Sequence, residues 1–246
     1  MKDRPPEKSI DCHCHIGASG ADSAGISYDE IKAMLDEFPM EHVVVFPVDE
    51  ADKGPTYERV NDRLAEVAGK DPRLIPFGRV NPHAGDAALT EMDRFESLGF
   101  RGLKLHPYSE KFGPESAGEI FKKAGEMGLP IMLHSMHRSF FEDRDGWLRN
   151  FELTGSPVIV AHSGKDSYRE FAGAVKGLPH VCADTTAVSY NRTKVMLGIL
   201  GPDRLVYGSD MPYSHPAIEI TKYNLILAPE DREKVFYRNA KRILGL

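Results

Sequence analysis

The sequence predicts an α/β fold, a single (β/α)8 TIM barrel spanning residues 1–246. Three observations predict it. Eight short apolar runs alternate with eight amphipathic stretches. Chain breakers stand where each helix hands over to the next strand: Gly99, Gly128-Leu129-Pro130, Gly155-Ser156-Pro157, Gly177-Leu178-Pro179 and Gly201-Pro202. Strict β-α alternation implies a parallel sheet under helical cover, and eight units of roughly 25–30 residues suit a barrel. An open doubly wound sheet is the rival. It normally carries a Gly-rich loop after its first strand. Here Ile16-Gly17-Ala18-Ser19-Gly20 has glycines without that spacing.

The expected strands are 10–15, 42–47, 74–81, 102–107, 130–134, 158–162, 180–185 and 204–210. Each is a short apolar run bounded by polar or breaker residues. The expected helices are 28–38, 57–70, 86–98, 115–127, 143–153, 167–176, 191–200 and 216–227, with a last helix over 230–244. No linker, repeat or second domain interrupts them.

Composition narrows the function classes. The chain is 41% hydrophobic and 28% charged, as in ordinary soluble proteins. A net charge of −6 gives no footprint for nucleic acid or an anionic membrane. No apolar run approaches the length of a membrane span. Residues 1–8 are charged and proline-bearing, without the apolar core of a signal peptide. The expectation is a cytoplasmic protein acting on a small molecule; a homo-oligomer is compatible with this. Cys12, Cys14 and Cys182 are too few and too central for a disulfide framework.

Asp11-Cys12-His13-Cys14-His15 is the most informative stretch. Strand alternation puts Asp11, His13 and His15 on one face and both cysteines on the other, toward the helices. Imidazoles about 7 Å apart on one strand face can grip one metal ion. Alone, each histidine reads as an ordinary hydrogen-bonded side chain. Other strand ends carry residues of the same type: Lys104 and His106, His134, His162, Asp184 and Asp210. A barrel places these at its catalytic mouth. Each follows an apolar run and needs a partner once desolvated, and a shared metal satisfies them together.

With these residues in view, the sequence resembles the amidohydrolase superfamily. It is closest in pattern to the metal-dependent branch related to aminocarboxymuconate semialdehyde decarboxylase. The matching segments are Ile10-Asp11-Cys12-His13-Cys14-His15, Gly102-Leu103-Lys104-Leu105-His106-Pro107, Leu129-Pro130-Ile131-Met132-Leu133-His134, Val160-Ala161-His162-Ser163-Gly164, Tyr207-Gly208-Ser209-Asp210-Met211-Pro212 and Asn239-Ala240. Their order is specific to the superfamily and much less so to one reaction. The resemblance implies one divalent metal, most simply Zn²⁺ with Mn²⁺ or Fe²⁺ as alternatives, on His13, His15, His134 and Asp210. It implies that Asp210 also moves a proton and that His162 orients or polarises the attacking water, or binds the metal in some relatives. In binuclear relatives a lysine at the place of Lys104 is carboxylated. In the mononuclear branch it is not, and an unmodified ammonium holding an acid or a substrate carboxylate is expected here.

Further substrate contacts are expected at Arg79, His106, His137 and Tyr213, which end or follow the ligand strands. Arg79 and Arg138 each offer a fork to a carboxylate. The alternative for each is a surface or interstrand salt bridge, which weighs slightly more for Arg138. The leading functional expectation is hydrolysis of an amide, ester or lactone in a small, carboxylated molecule. It is preferred because decarboxylases of the family are typically longer. The alternative is metal-dependent decarboxylation or hydration of an aromatic-derived acid. A metal-dependent deoxyribonuclease of the TatD type ranks third. It lacks its Glu-rich motif here, and the acidic charge opposes DNA binding.

Overall fold

The computed structural model describes residues 4–18, 25–136 and 142–246. Nine strands form one sheet: β1 Ile10–Ala18, β2 Gly25–Ile26, β3 His42–Pro47, β4 Leu74–Arg79, β5 Gly102–Leu105, β6 Ile131–His134, β7 Val158–Ala161, β8 Val181–Asp184 and β9 Leu205–Val206. Their order is β2-β1-β3-β4-β5-β6-β7-β8-β9. All pairings but one are parallel; β2 folds back antiparallel on β1. The parallel strands are those expected from sequence, and β2 is an addition. Helices α1 Tyr28–Glu37, α2 Glu58–Ala68, α3 Asp86–Asp93, α4 Pro107–Glu110, α5 Pro114–Glu126, α6 Arg144–Thr154, α7 Tyr168–Ala174 and α8 Tyr190–Leu200 fill the crossovers. Helices α9 Pro216–Ile226, α10 Pro229–Glu233 and α11 Asn239–Leu244 follow β9, with a π turn at Lys234–Arg238 where one continuous last helix was expected.

The local signals that start these elements are chemical. Ser27 and Glu30 make a reciprocal capping box at the start of α1. Pro114 and Pro216 open α5 and α9, where a missing N–H costs nothing.

Strand alternation sorts the core into two layers. Val43, Val45, Leu103, Leu105, Ile131, Leu133, Val158 and Val160 pack outward against the helices. Ile10, Val44, Phe46, Phe77, Met132 and Ile159 pack inward with Tyr237, Ala240, Ile243 and Leu244 of the C-terminal segment. The inner layer is a filled core between the curled sheet and the C-terminal segment. Among the described residues no helix is long and apolar enough to cross a membrane.

Three expectations need correction. The first concerns β1, whose pairing with β3 shifts register between Asp11 and Cys14. A shift of this kind inserts a residue and breaks the period of two. Cys12 therefore joins the inner layer and Cys14 the outer one, where both were expected among the helices. The second concerns strand ends: β4 stops at Arg79, β5 at Leu105 and β7 at Ala161, all short of the expected bounds. His162 instead opens a 3₁₀ turn with φ 59°.

The third concerns the last strand. It pairs in the ladder only at Leu205–Val206, and residues 207–211 run on along β1. Cys12 N–H donates to Tyr207 O at 2.9 Å, Asp210 N–H to His13 O at 2.7 Å and His15 N–H to Met211 O at 2.7 Å. The buried Asp11 carboxylate fastens this seam. Its Oδ1 accepts from the N–H of His13 and of Ser209, both at 2.9 Å. Gly208 permits the approach, since a Cβ there would lie 2.6 Å from Cβ of His13. Asp11→Ala orphans two buried N–H groups at roughly 1–3 kcal/mol each, so a loss of roughly 2–6 kcal/mol is expected. A urea titration at unchanged slope measures it. A loss below about 1 kcal/mol would show that water replaces the carboxylate.

Candidate metal centre

His13 and His15 reach the mouth from β1, and Asp210 from the segment after β9. The Nε2 atoms of the two histidines stand 3.3 Å apart. They lie 3.1 and 3.3 Å from Oδ1 of Asp210. All three residues are buried, and among the described residues theirs is the one group of metal-type donors whose ligand atoms all lie within 4.8 Å of one another. Asp210 takes φ 60°, an uncommon backbone state for a non-glycine residue, held here by the hydrogen bonds of the seam.

The electrostatics favour a cation at this point. Nδ1 of His13 lies 2.6 Å from the fully buried Asp184 carboxylate. A carboxylate only accepts, so Nδ1 carries a proton and Nε2 turns its lone pair toward Asp210. An acceptor then faces an acceptor, and a proton or a metal ion must lie between. Burial opposes charge on His13, but Asp210 and Asp184 outweigh it and push its pKa up to about 9. Burial pushes His15 down to about 3. Burial also works to raise the Asp210 carboxyl, yet His13 and His15 hold it well below the usual carboxylate range. Two imidazole nitrogens and an ionised oxygen thus surround one buried position. This donor set fits Zn²⁺, Mn²⁺ or Fe²⁺.

The other expected residues gather beside it. A cleft of about 340 Å³ is lined by His15, Arg79, Lys104, His106, His134, His162, Asp210 and Tyr213, with Tyr108 and Met136. His134 ends β6, stacked on His106 at 3.7 Å between ring centroids and edge-on to His162 at 4.8 Å. It adjoins the three-atom cluster without being part of it. The His162 ring lies 5.1 Å from that of His13. Its Nδ1 donates to the Thr186 carbonyl at 3.0 Å, and burial lowers its pKa to about 4. Tyr213 stands edge-on to His15 at 5.0 Å and is partly exposed at the rim. His137 and Arg138 lie outside the described residues.

Lys104 and Arg79 both line the cleft and differ in their partners. Lys104 is 1% exposed, yet Nζ has no hydrogen-bond partner among the described residues. It lies 4.2 Å from the centroid of Phe46, a cation–π contact, in place of the expected acid. Burial lowers its pKa to about 7. The Arg79 guanidinium is already engaged. It pairs with the buried Glu110 and donates to the carbonyls of Val48 at 2.9 Å and Pro47 at 3.2 Å. The structure thus gives Arg79 a salt bridge from β4 to Glu110 of α4, and Arg79 still lines the cleft.

Sequence reasoning flagged Asp184 without giving it a role, and missed Thr186, Glu110 and Phe46. The signal for the first pair was present. Asp184-Thr185-Thr186 is a polar run directly after an apolar strand, and all three are fully buried. Glu110 sits in a short helix after β5, and nothing in its spacing points to Arg79.

A family model described as Amidohydrolase matches residues 10–246. Comparison with curated proteins gives no match. Solved structures share the fold at low identity. One is 2,6-dihydroxybenzoate decarboxylase from Rhizobium, 16% identical, with 97% of this chain and 98% of that chain covered and a TM-score of 0.73. Another is 5-carboxyvanillate decarboxylase from Novosphingobium aromaticivorans, complexed with manganese and 4-hydroxy-3-methoxy-5-nitrobenzoic acid. It is 16% identical, covers 100% of this chain and 97% of that chain, and has a TM-score of 0.74. A third is IDCase from Metarhizium anisopliae in apo form, 16% identical, covering 98% and 97%, with a TM-score of 0.75. From the match over nearly its whole length, the chain belongs to the amidohydrolase family.

Proposed function

We propose that this protein is a metal-dependent, non-oxidative decarboxylase of a small aromatic acid. One observation carries the reading: His15 and Asp210 of the metal-type cluster and the buried Lys104 line one cleft of about 340 Å³. A single-ring acid fits such a space, with an anionic group toward the cations and its ring against imidazole and tyrosine faces. The likeness to decarboxylases named for benzoate- and vanillate-type acids supports this reaction over hydrolysis. The sequence-based preference for hydrolysis rested on the compactness of the chain, and it gives way. The whole chain is read as one domain, an eightfold barrel closed by the seam between residues 207–211 and β1.

His13, His15 and Asp210 hold one divalent ion, with His134 as the neighbouring fourth donor. When bound, the ion supplies Lewis-acid polarisation of the substrate's oxygen atoms. The chain's own residues do the rest. Lys104 draws the acid into the cleft by charge. The stacked His106 and His134 rings and the edge of Tyr213 set the plane of the aromatic ring. Loss of CO2 leaves an electron pair on the ring carbon, and a proton must replace it. Asp210 and His162 line the cleft where that proton is delivered. Arg79 acts through Glu110, keeping the wall rigid.

The reaction is tested by incubating metal-loaded protein with hydroxylated benzoic acids and following CO2. Release of CO2, with deuterium on the vacated ring carbon in D2O, is the expected outcome. Cleavage of lactones or N-acyl compounds without CO2 would replace this reading by hydrolysis. Metal analysis is expected to give close to one ion per chain, with no gain on adding bicarbonate. Two ions per chain, with a carboxylated Lys104, would move the protein to the binuclear branch.

Two substitutions separate binding from turnover. Asp210→Asn keeps a carbonyl oxygen for the ion but takes up no proton at neutral pH. Its rate is expected to fall by roughly 10²–10⁴ with much of the metal retained. His162→Ala is expected to behave similarly. Metal loss as complete as in His134→Ala would instead make His162 a ligand.

Lys104 gives the pH dependence. Its ammonium is present below about 7 and lost above. The value of kcat/KM is therefore expected to fall as pH rises through that range. Lys104→Met should raise KM and remove this alkaline limb. An unchanged profile in the variant would assign the limb to another group.

A further inference from the structure

The geometry points to Asp184 and Thr186 as one positioning unit that holds both His13 and His162 in the Nδ1–H form, with both Nε2 lone pairs turned to the cleft. The inference rests on the metal-site reading above and not on the choice of reaction.

The hydrogen-bond directions fix one another. The Asp184 carboxylate can only accept. Its Oδ1 accepts the N–H of Thr186 at 2.9 Å. Its Oδ2 lies 2.6 Å from Nδ1 of His13 and 2.9 Å from Oγ1 of Thr186. Both neighbours of Oδ2 must therefore donate. Having given its proton to Asp184, the Thr186 hydroxyl offers only lone pairs to Nδ1 of His162, 3.1 Å away. The Thr186 carbonyl, 3.0 Å from the same nitrogen, also only accepts. Nδ1 of His162 must then carry the proton. The chain of donors runs from His162 through Thr186 to Asp184 and meets the donor from His13 there. One carboxylate and one hydroxyl decide two tautomers.

The unit is itself clamped. Ser163 Oγ donates to Asp184 O at 2.6 Å, and Lys222 Nζ donates to Thr185 O at 2.6 Å and Val188 O at 3.0 Å. Thr185 Oγ1 meets the Tyr223 hydroxyl at 2.7 Å. Each member is fully buried or nearly so, which excludes water as a competing partner. His15 is a built-in contrast. Its Nδ1 is buried without a hydrogen-bond partner among the described residues, so none of them sets its tautomer from that side.

The test reads tautomers and metal affinity, neither of which needs a substrate. In the metal-free full chain with ¹⁵N-labelled histidine, His162 is expected to show a protonated Nδ1 and an unprotonated Nε2. Zinc affinity is then measured by chelator competition. Thr186→Ser keeps the hydroxyl and should bind zinc close to wild type. Thr186→Val should lose about tenfold, the lower end for groups that support metal ligands. Asp184→Asn presents an amide NH2 to Nδ1 of His13 and turns its N–H toward the metal side. It should lose roughly 10–100-fold, with cooperative unfolding retained. A wild-type His162 protonated on Nε2 would overturn the inference whatever the variants do. So would Thr186→Val or Asp184→Asn binding zinc as tightly as wild type. If the decarboxylase assay fails while these readouts hold, the reaction is wrong and the positioning unit stands.

Discussion

One carboxylate oxygen, Oδ1 of Asp210, faces two imidazole nitrogens at 3.1 and 3.3 Å in a buried pocket. The mouth of this protein is organised around what that arrangement requires. In water the three groups would solvate separately. Out of water, an ionised oxygen and two lone pairs repel unless a cation joins them, and isolated charge is costly to bury. The fold meets the requirement twice over. It supplies a second buried carboxylate, Asp184, which fixes the proton of His13 away from the site. It also supplies a third, Asp11, which carries no ligand role and ties the backbone of His13 to the backbone of Ser209.

That division of labour explains why the seam between β1 and residues 207–211 is irregular. A regular eighth strand would alternate side chains and bring only every second residue inward. Here β9 ends after two residues. The chain beyond it can then turn through φ 60° at Asp210 and aim the carboxylate at His13 and His15. The register shift in β1 lies on the other side of the site. It moves Cys12 into the inner core, while His13 and His15, two residues apart, both reach the site. Both departures from ideal geometry occur at the site, where local rules are expected to yield to function.

Much of this was legible in the sequence. The parallel strands and the helices between them followed from apolar runs and breakers, because parallel strands are buried on both faces and read as continuous apolar segments. His13, His15 and Asp210 were legible because each ends such a run. The cysteine orientation was not, because a register shift leaves no mark in residue type. The partners of Arg79 and Lys104 were not legible either. Glu110 and Phe46 belong to other elements, and their contacts arise from three-dimensional packing. Asp184 and Thr186 lay between these extremes. Their position was suspicious, but their role appears only once Oδ2 is seen between two donors.

The same ligand set serves hydrolysis and decarboxylation, so the ligands do not choose the reaction. The opposite wall of the cleft does. A hydrolase must hold a carbonyl and admit a water to attack it. A decarboxylase must hold an acid in a site that stabilises neutral CO2 better than the carboxylate it leaves. Lys104 bears on the holding of the acid. Its ammonium, packed on the Phe46 ring and without a hydrogen-bond partner among the described residues, has no competing anion and pairs with a substrate acid in a poorly hydrated site. Under the proposed decarboxylation, this cation serves capture of the acid rather than departure of CO2.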